Sequence, residues 1–193
     1  MKAQPAARET SWPDERLVHE CNKGNQAAWS ALIEKYKNLI FSIPIKFGLS
    51  REDAADVFQA VCVDLLVGLR RLREPKALPK WLMRTTFHQC LRSKKERLLV
   101  DDKSDVEQVP ETGSSDLPQE MLFEVQREQS LREAIATLPP RCKRMVGMLF
   151  FEDPPRPYQE VAKQLNLATG SIGFIRGRCL KKLRRLLEDK GFQ

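Results

Sequence analysis

Apolar residues return every third or fourth position through two separate stretches of the 193-residue chain, and that spacing belongs to amphipathic helices. From Asn25 to Phe47 the series is Trp29, Leu32, Ile33, Tyr36, Leu39, Ile40, Ile43 and Phe47. Pro44 is expected to kink this helix or end it early. Ser50 stands ready to cap the next helix with Asp53 three residues on, close to a capping box. Val57, Val61, Leu65, Leu69 and Leu72 then form one stripe, with Asp53, Asp56, Gln59 and Asp64 on other faces. Phe58 lies at the edge of that stripe and reads either as a core-edge residue or as a docking spot. Pro75 and Pro79 bound a short loop, and a third helix is predicted from about Lys80 to Arg97. It ends in RSKKER, where cations suit the negative end of the helix dipole. Further helical segments are readable at about 120–137, 140–151, 157–165 and 169–188.

Between the two stretches the pattern stops. LLVDDKSDVEQVPETGSSDLPQE holds Pro110, Gly113, Ser114, Ser115 and Pro118 and has no apolar period, so it reads as a flexible linker. The chain is therefore expected to be all-α: an N-terminal tail over 1–13, a helical domain over 14–97, a flexible acidic linker over 98–120 and a second helical domain over 121–190. Charge follows the same division. Residues 14–97 carry net +6, residues 98–130 net −7 and residues 131–193 net +7. Two basic blocks fit a polyanionic partner, usually nucleic acid.

The second domain ends in PYQEVAKQLNLATGSIGFIRGRCLKKLRRLL. Val161, Ala162 and Leu165 line the inner face of one helix, and Ala162 is small enough for a second helix to cross close by. Asn166 suits the left-handed conformation of a tight turn. Ile172, Ile175, Cys179 and Leu183 give the second helix its inner stripe. This is a helix-turn-helix pattern, whose second helix enters the major groove. The outer face of that helix carries Ser171, Phe174, Arg178, Lys181, Lys182 and Arg185, with Arg176 towards the flank. Arg reads guanine bidentately, and Lys and Arg neutralise phosphates.

Other classes find little support. Phosphate-binding, dinucleotide, zinc-protease and nucleophile-elbow motifs are absent from the sequence. Neither an enzymatic activity, a metal nor a cofactor is expected. Asp53 and Asp56 are a weak candidate pair for a metal-dependent nuclease. Cys21, Cys62, Cys90, Cys142 and Cys179 contain no C-x-x-C pair and read as buried or half-buried free thiols; a disulfide framework is not expected. No apolar run reaches membrane-spanning length, and the first residues lack a secretory signal, so a cytoplasmic protein without membrane association is expected.

The pairing of these two blocks resembles the extracytoplasmic-function (ECF) subfamily of bacterial RNA polymerase sigma factors. EDAADVFQAVCVDLL is similar to the family's core-binding helix, with Asp53, Ala54, Asp56, Gln59 and Val61 at matching positions. LPKWLMRTTFHQCLR is similar to its promoter-melting stretch, with Trp81-Leu82 and the basic tail in place. Tyr158-Gln159-Glu160-Val161-Ala162, Leu165, Gly170-Ser171-Ile172 and Lys181-Lys182-Leu183 fit its fourth region. No segment between the blocks has the makings of a third domain, which is what sets the ECF type apart. The chain departs from the family at Ala60, where Glu is usual, and at Phe58, where a smaller aliphatic residue is. Pro157 and Ala168 stand in place of capping Ser residues, leaving Thr169 to cap one position later.

The resemblance implies a promoter-specificity subunit, monomeric when free, whose partners are core RNA polymerase, promoter DNA and, as is common in the family, an anti-sigma factor. It implies that Asp53, Asp56, Val57, Phe58 and Gln59 meet core polymerase. The minus-ten element falls to Lys76, Lys80, Trp81, Arg84, Thr85, Thr86, His88, Gln89 and Arg92. Cations there hold phosphates, Thr and Gln hydrogen-bond an extruded base, and Trp81 and Phe87 stay open between core and base stacking. The minus-thirty-five element falls to Thr169, Ser171, Phe174, Arg176, Arg178, Lys181 and Lys182. The competing reading is a helix-turn-helix regulator that binds DNA without joining polymerase; it needs a dimer interface, and no long heptad seam supplies one. A helical adaptor that binds polymerase alone is opposed by the basic outer face.

Overall fold

The computed structural model describes residues 12–100 and 118–191. Eight α-helices are present among them: α1 (Asp14–Asn22), α2 (Gln26–Lys46), α3 (Arg51–Gly68), α4 (Leu78–Val100), α5 (Gln119–Thr137), α6 (Pro140–Phe150), α7 (Tyr158–Leu165) and α8 (Ile172–Glu188). Short 3-10 turns over Leu69–Arg71, Pro75–Ala77 and Thr169–Ser171 complete the regular structure. The all-α expectation holds. Most of the expected linker, residues 101–117, and the tail up to Ser11 lie outside the described residues.

Local chemistry explains the helix ends. The Asn25 side chain accepts from the amides of Ala27 and Ala28 and starts α2. Pro44 sits in the last turn of α2, which ends two residues later at Lys46. Gly48 then takes φ +86°, and the amides of Gly48 and Leu49 donate to the carbonyls of Ile45 and Pro44. That pair of bonds satisfies the last carbonyls and needs a left-handed residue, which glycine supplies without steric cost. Ser50 and Asp53 form the expected capping box on α3. Asn166 is left-handed, with φ 52°, in the turn between α7 and α8.

Helix α1 was not readable from periodicity, being a single short segment. It is anchored at its first residue, where Asp14 accepts hydrogen bonds from Tyr36 and Lys35 of α2, each at 2.7 Å, and it buries Leu17, Val18 and Cys21.

The described chain divides into two compact units, Trp12–Gln129 and Ser130 onward. The division therefore falls inside α5, nine residues later than the expected boundary at 121. The reason is packing. Val125 is fully buried in the front core, with Met121 and Leu122 partly buried against it. Lys46 pairs with Glu124 at 2.6 Å and Glu128 at 2.9 Å, and the Gln129 amide donates to the Lys35 carbonyl. The front core also includes Leu17, Leu32, Tyr36, Leu39, Ile40, Ile43, Val57, Val61, Leu65 and Leu82. The rear core is smaller, built on Ala134, Met145, Val146, Val161, Ala162, Leu165, Ile172 and Leu183.

One expectation fails in the rear unit. Cys142 of α6 and Cys179 of α8 are joined by a disulfide, with their Cα atoms 5.3 Å apart. Their separation of 37 positions hid the pair, because only the packing of α6 on α8 brings the two together. Cross-linking a loop of this length contributes roughly 4 kcal/mol by the chain-entropy model. Cys21, Cys62 and Cys90 remain free thiols.

At the end of α3, Gly68 faces the indole of Trp81. A Cβ placed there would lie 2.6 Å from Trp81 Cζ2. We therefore expect Gly68→Ala to destabilise the front unit by about 1–2 kcal/mol, since the forced shift of the indole outweighs the helical preference for Ala. Urea unfolding measures this, and an unchanged midpoint would mean that the ring repacks without cost.

Candidate nucleic-acid interface

Three outward helix faces hold the residues that the sequence singled out. The first is on α3. Its capping box occupies Asp53, which also ion-pairs with Arg97 of α4. The Ser50 hydrogen bond, and beyond it the charge of Arg97, hold the Asp53 carboxyl below its ordinary pKa. Asp53 is thus committed to the fold. Val57 is 3% exposed and belongs to the core, a correction to its expected place on a docking face. Phe58 is half-buried with its ring 6.4 Å from that of Phe41, so the core-edge alternative holds. Asp56 and Gln59 do point outward.

The same outward face continues where no site residue was expected. Val63, Leu66 and Val67 are each about 60% exposed. With Asp56, Gln59 and Arg70 they follow the three-and-four spacing of one exposed stripe. The signal was present in VCVDLLV, which is more apolar than a single core-facing stripe requires.

The second face is on α4. Lys80, Arg84, His88 and Arg92 recur every fourth residue and are all exposed, and Lys76 is exposed in the turn before them. They make a basic strip along one side of the helix. Their expected neighbours divide differently. Thr86 is fully buried, and its hydroxyl donates to the Leu82 carbonyl at 2.7 Å, so it has no reach to an extruded base. The Gln89 amide donates to Asp64 of α3 at 2.7 Å. Thr85 is half-buried. Trp81 is half-buried against Gly68, and Phe87 is buried with its ring edge-on to Phe47 at 5.5 Å. Periodicity alone did not separate these residues, since the inner and outer sides of α4 both carry polar groups.

The third face is on α8. Thr169, Phe174, Arg176, Arg178, Lys181 and Lys182 are exposed. Phe174 is 71% exposed, and the Arg178 guanidinium lies 5.8 Å from its ring centroid. Arg176 approaches Tyr158 of α7 at 5.9 Å. These contacts hold two cations over aromatic surfaces on the outside of the motif. Ser171 is half-buried and donates to the Ala168 carbonyl instead of capping α8. Thr169 does not cap either: it opens a 3-10 turn without a side-chain cap. The inner stripe is as expected at Ile172, Cys179 and Leu183, with Ile175 half-buried.

Gly170, Gly173 and Gly177 have nothing within 4 Å of an added Cβ. No packing among the described residues requires them. Gly177→Ala is expected to stabilise the rear unit by about 0.5–1 kcal/mol through helix propensity. If nucleic acid approaches this backbone, the same change weakens DNA binding, and thermal melting beside a DNA titration separates the two effects. Destabilisation would show that the glycine is needed by the fold.

Among the described residues, no group of three or more His, Cys, Asp or Glu is placed to hold a metal ion. No described helix is long and apolar enough to cross a membrane.

Comparison with known proteins places this geometry. The family described as Sigma-70 region 2 matches residues 32–97, which take in most of α2, all of α3 and most of α4. The solved structure of CnrH in complex with the cytosolic domain of CnrY is similar at 18% sequence identity and a TM-score of 0.39, covering 92% of this chain and 99% of that one. The curated proteins hold no match. The exposed faces of α3 and α4 lie within the matched segment. The segment that carries the outward faces of α3 and α4 is thus similar to sigma-70 region 2.

Proposed function

We propose that the protein is a sigma factor of the ECF type, which directs core RNA polymerase to promoters through two units with separate tasks. One observation carries the reading. A segment similar to sigma-70 region 2 and a helix-turn-helix whose second helix exposes Arg176, Arg178, Lys181 and Lys182 stand in one chain.

In this reading the outward stripe of α3 docks on core polymerase. Asp56, Gln59 and Arg70 supply polar contacts and Val63, Leu66 and Val67 the apolar ones. The strip Lys76, Lys80, Arg84, His88 and Arg92 runs along phosphates of the minus-ten element, with Thr85 at its margin. Gln89 takes part only by giving up Asp64. The outer face of α8 enters the major groove of the minus-thirty-five element, with Arg176 and Arg178 at base edges or phosphates and Lys181 and Lys182 on phosphates. Polymerase performs the phosphoryl chemistry. Two small basic units on one chain gain affinity through effective concentration when both engage. An anti-sigma factor covering one of these faces is part of the same proposal.

The test is transcription in vitro from a promoter library with purified core polymerase. Stoichiometric co-purification with core and selective initiation from a subset of promoters are expected. DNA binding without association with core would return the protein to the class of helix-turn-helix regulators.

A further inference from the structure

Cys142 and Cys179 meet inside the rear core, 8% and 1% exposed. Their bond runs from the first turn of α6 to the inner face of α8. It thus ties the helix with the outward cations directly to its support. Helix α8 has reason to depend on such a tie. Gly173 and Gly177 lie in its first two turns, and its N-cap Ser171 makes no side-chain cap bond. Only Ile172, Cys179 and Leu183 of α8 are buried. A helix with weak propensity takes its order from tertiary packing.

The two cysteines differ in setting. Cys142 is the third residue of α6, flanked by Arg141 and Lys143. A helix N-terminus and neighbouring cations both favour a thiolate. Cys142 is itself 8% exposed, so these two influences act against its burial, whereas the other three cysteines have no bonded partner. Burial pushes the Cys21 thiol up to about 11 and the Cys90 thiol up to about 12, and it raises that of Cys62 as well. Protonated thiols exchange slowly. A protein working on DNA beside polymerase sits where thiols are kept reduced, and a disulfide in that setting is usually transient and redox-sensing.

We propose that Cys142 and Cys179 form a reversible dithiol–disulfide site, and that the disulfide form of the rear unit binds DNA more tightly because the bond fastens α8 to α6. The second half rests on the DNA-reading role proposed above for α8. The oxidant is a low-molecular-weight disulfide of the glutathione class. The Cys142 thiolate attacks one of its sulfurs, forming a mixed disulfide and expelling one small thiol. The Cys179 thiolate then attacks Cys142 Sγ and expels the second. Two protein thiols lose two electrons and two protons, and one small disulfide becomes two thiols. Reduction runs in reverse, with a small thiolate entering at the more exposed Cys142 and releasing Cys179.

The experiment equilibrates the full-length protein in glutathione buffers from fully reduced to fully oxidised. Each sample is quenched with acid, alkylated under denaturing conditions and weighed intact. Five alkylated thiols are expected at the reduced end and three at the oxidised end, with a reversible midpoint between them. The melting midpoint of the rear unit should fall by about 10 °C or more on reduction. Affinity for a promoter fragment should fall on the order of tenfold, as follows if α8 is ordered in about one-tenth of reduced molecules. A Cys142→Ala/Cys179→Ala variant should hold three alkylatable thiols and a constant affinity at every ratio.

A thiol count that stays fixed across the range would overturn the site. So would a reversible count with no change in melting midpoint or affinity. A reversible count with a shifted midpoint, but no DNA binding at any ratio, supports the site and overturns the DNA reading of α8.

Discussion

Leu66→Arg should weaken the complex with core RNA polymerase by on the order of 30-fold or more, with the fold intact. Leu66 is 59% exposed on α3, so the substitution buries no charge within the free protein. At an interface its position matters more. Val63 and Val67 flank it, and an apolar cluster rimmed by Asp56, Gln59 and Arg70 is the arrangement in which a few central residues dominate binding. An arginine at its centre would be desolvated without a partner. Asp56→Arg, at the rim, should have a smaller effect on affinity and a larger one on its salt dependence. Val57→Arg supplies the contrast, because Val57 is 3% exposed and the change should unfold the front unit. Titrating labelled core polymerase with each variant, alongside circular dichroism, makes the measurement. Unchanged affinity of a folded Leu66→Arg protein would remove this face from the interface.

On α8 the expected effects separate by kind. Arg178→Ala should cost about 1–3 kcal/mol on a matched promoter and much less on unrelated DNA, if its guanidinium meets a base edge. Lys182→Ala should weaken all sequences alike and lower the salt slope by about 1. The geometry favours this split. Arg178 lies over the Phe174 ring in the first half of the helix, the part that helix-turn-helix motifs place in the groove, whereas Lys182 stands one turn further on. Removing both should abolish selective binding at physiological salt. The readout is a set of binding isotherms at several salt concentrations, on matched and scrambled duplexes. Equal losses on both duplexes for Arg178→Ala would make it a phosphate contact. No loss for either variant would put the wrong face on DNA.

Much of this architecture is legible in the sequence, because its signals act over a few residues. The three-and-four spacing from Trp29 to Ile43 marks α2, and the Ser50–Asp53 box marks the start of α3. Asn166 marks a left-handed turn, and Ile172, Cys179 and Leu183 mark the buried side of α8. Each depends on hydrogen bonds or a helical period within one segment. The outward cations of α4 and α8 were legible for the same reason, since a charged residue opposite an apolar stripe rarely faces the core.

What the sequence by itself determined, then, was the helical content, the helix-turn-helix and the basic character of both blocks. The tertiary structure decided which polar and apolar residues near a stripe are covered. Thr86 satisfies its hydroxyl on the Leu82 carbonyl and so enters the core, while Val63, Leu66 and Val67 stay outside. Neither outcome follows from residue type, because burial depends on which other helix lies against that face. The same holds for α5, whose first half joins the front core through Val125 and the Lys46 ion pairs. It holds most for Cys142 and Cys179, which are 37 residues apart in the chain and bonded in the fold. Contacts between distant segments exist only once packing has closed the loop between them, and no local pattern records that closure.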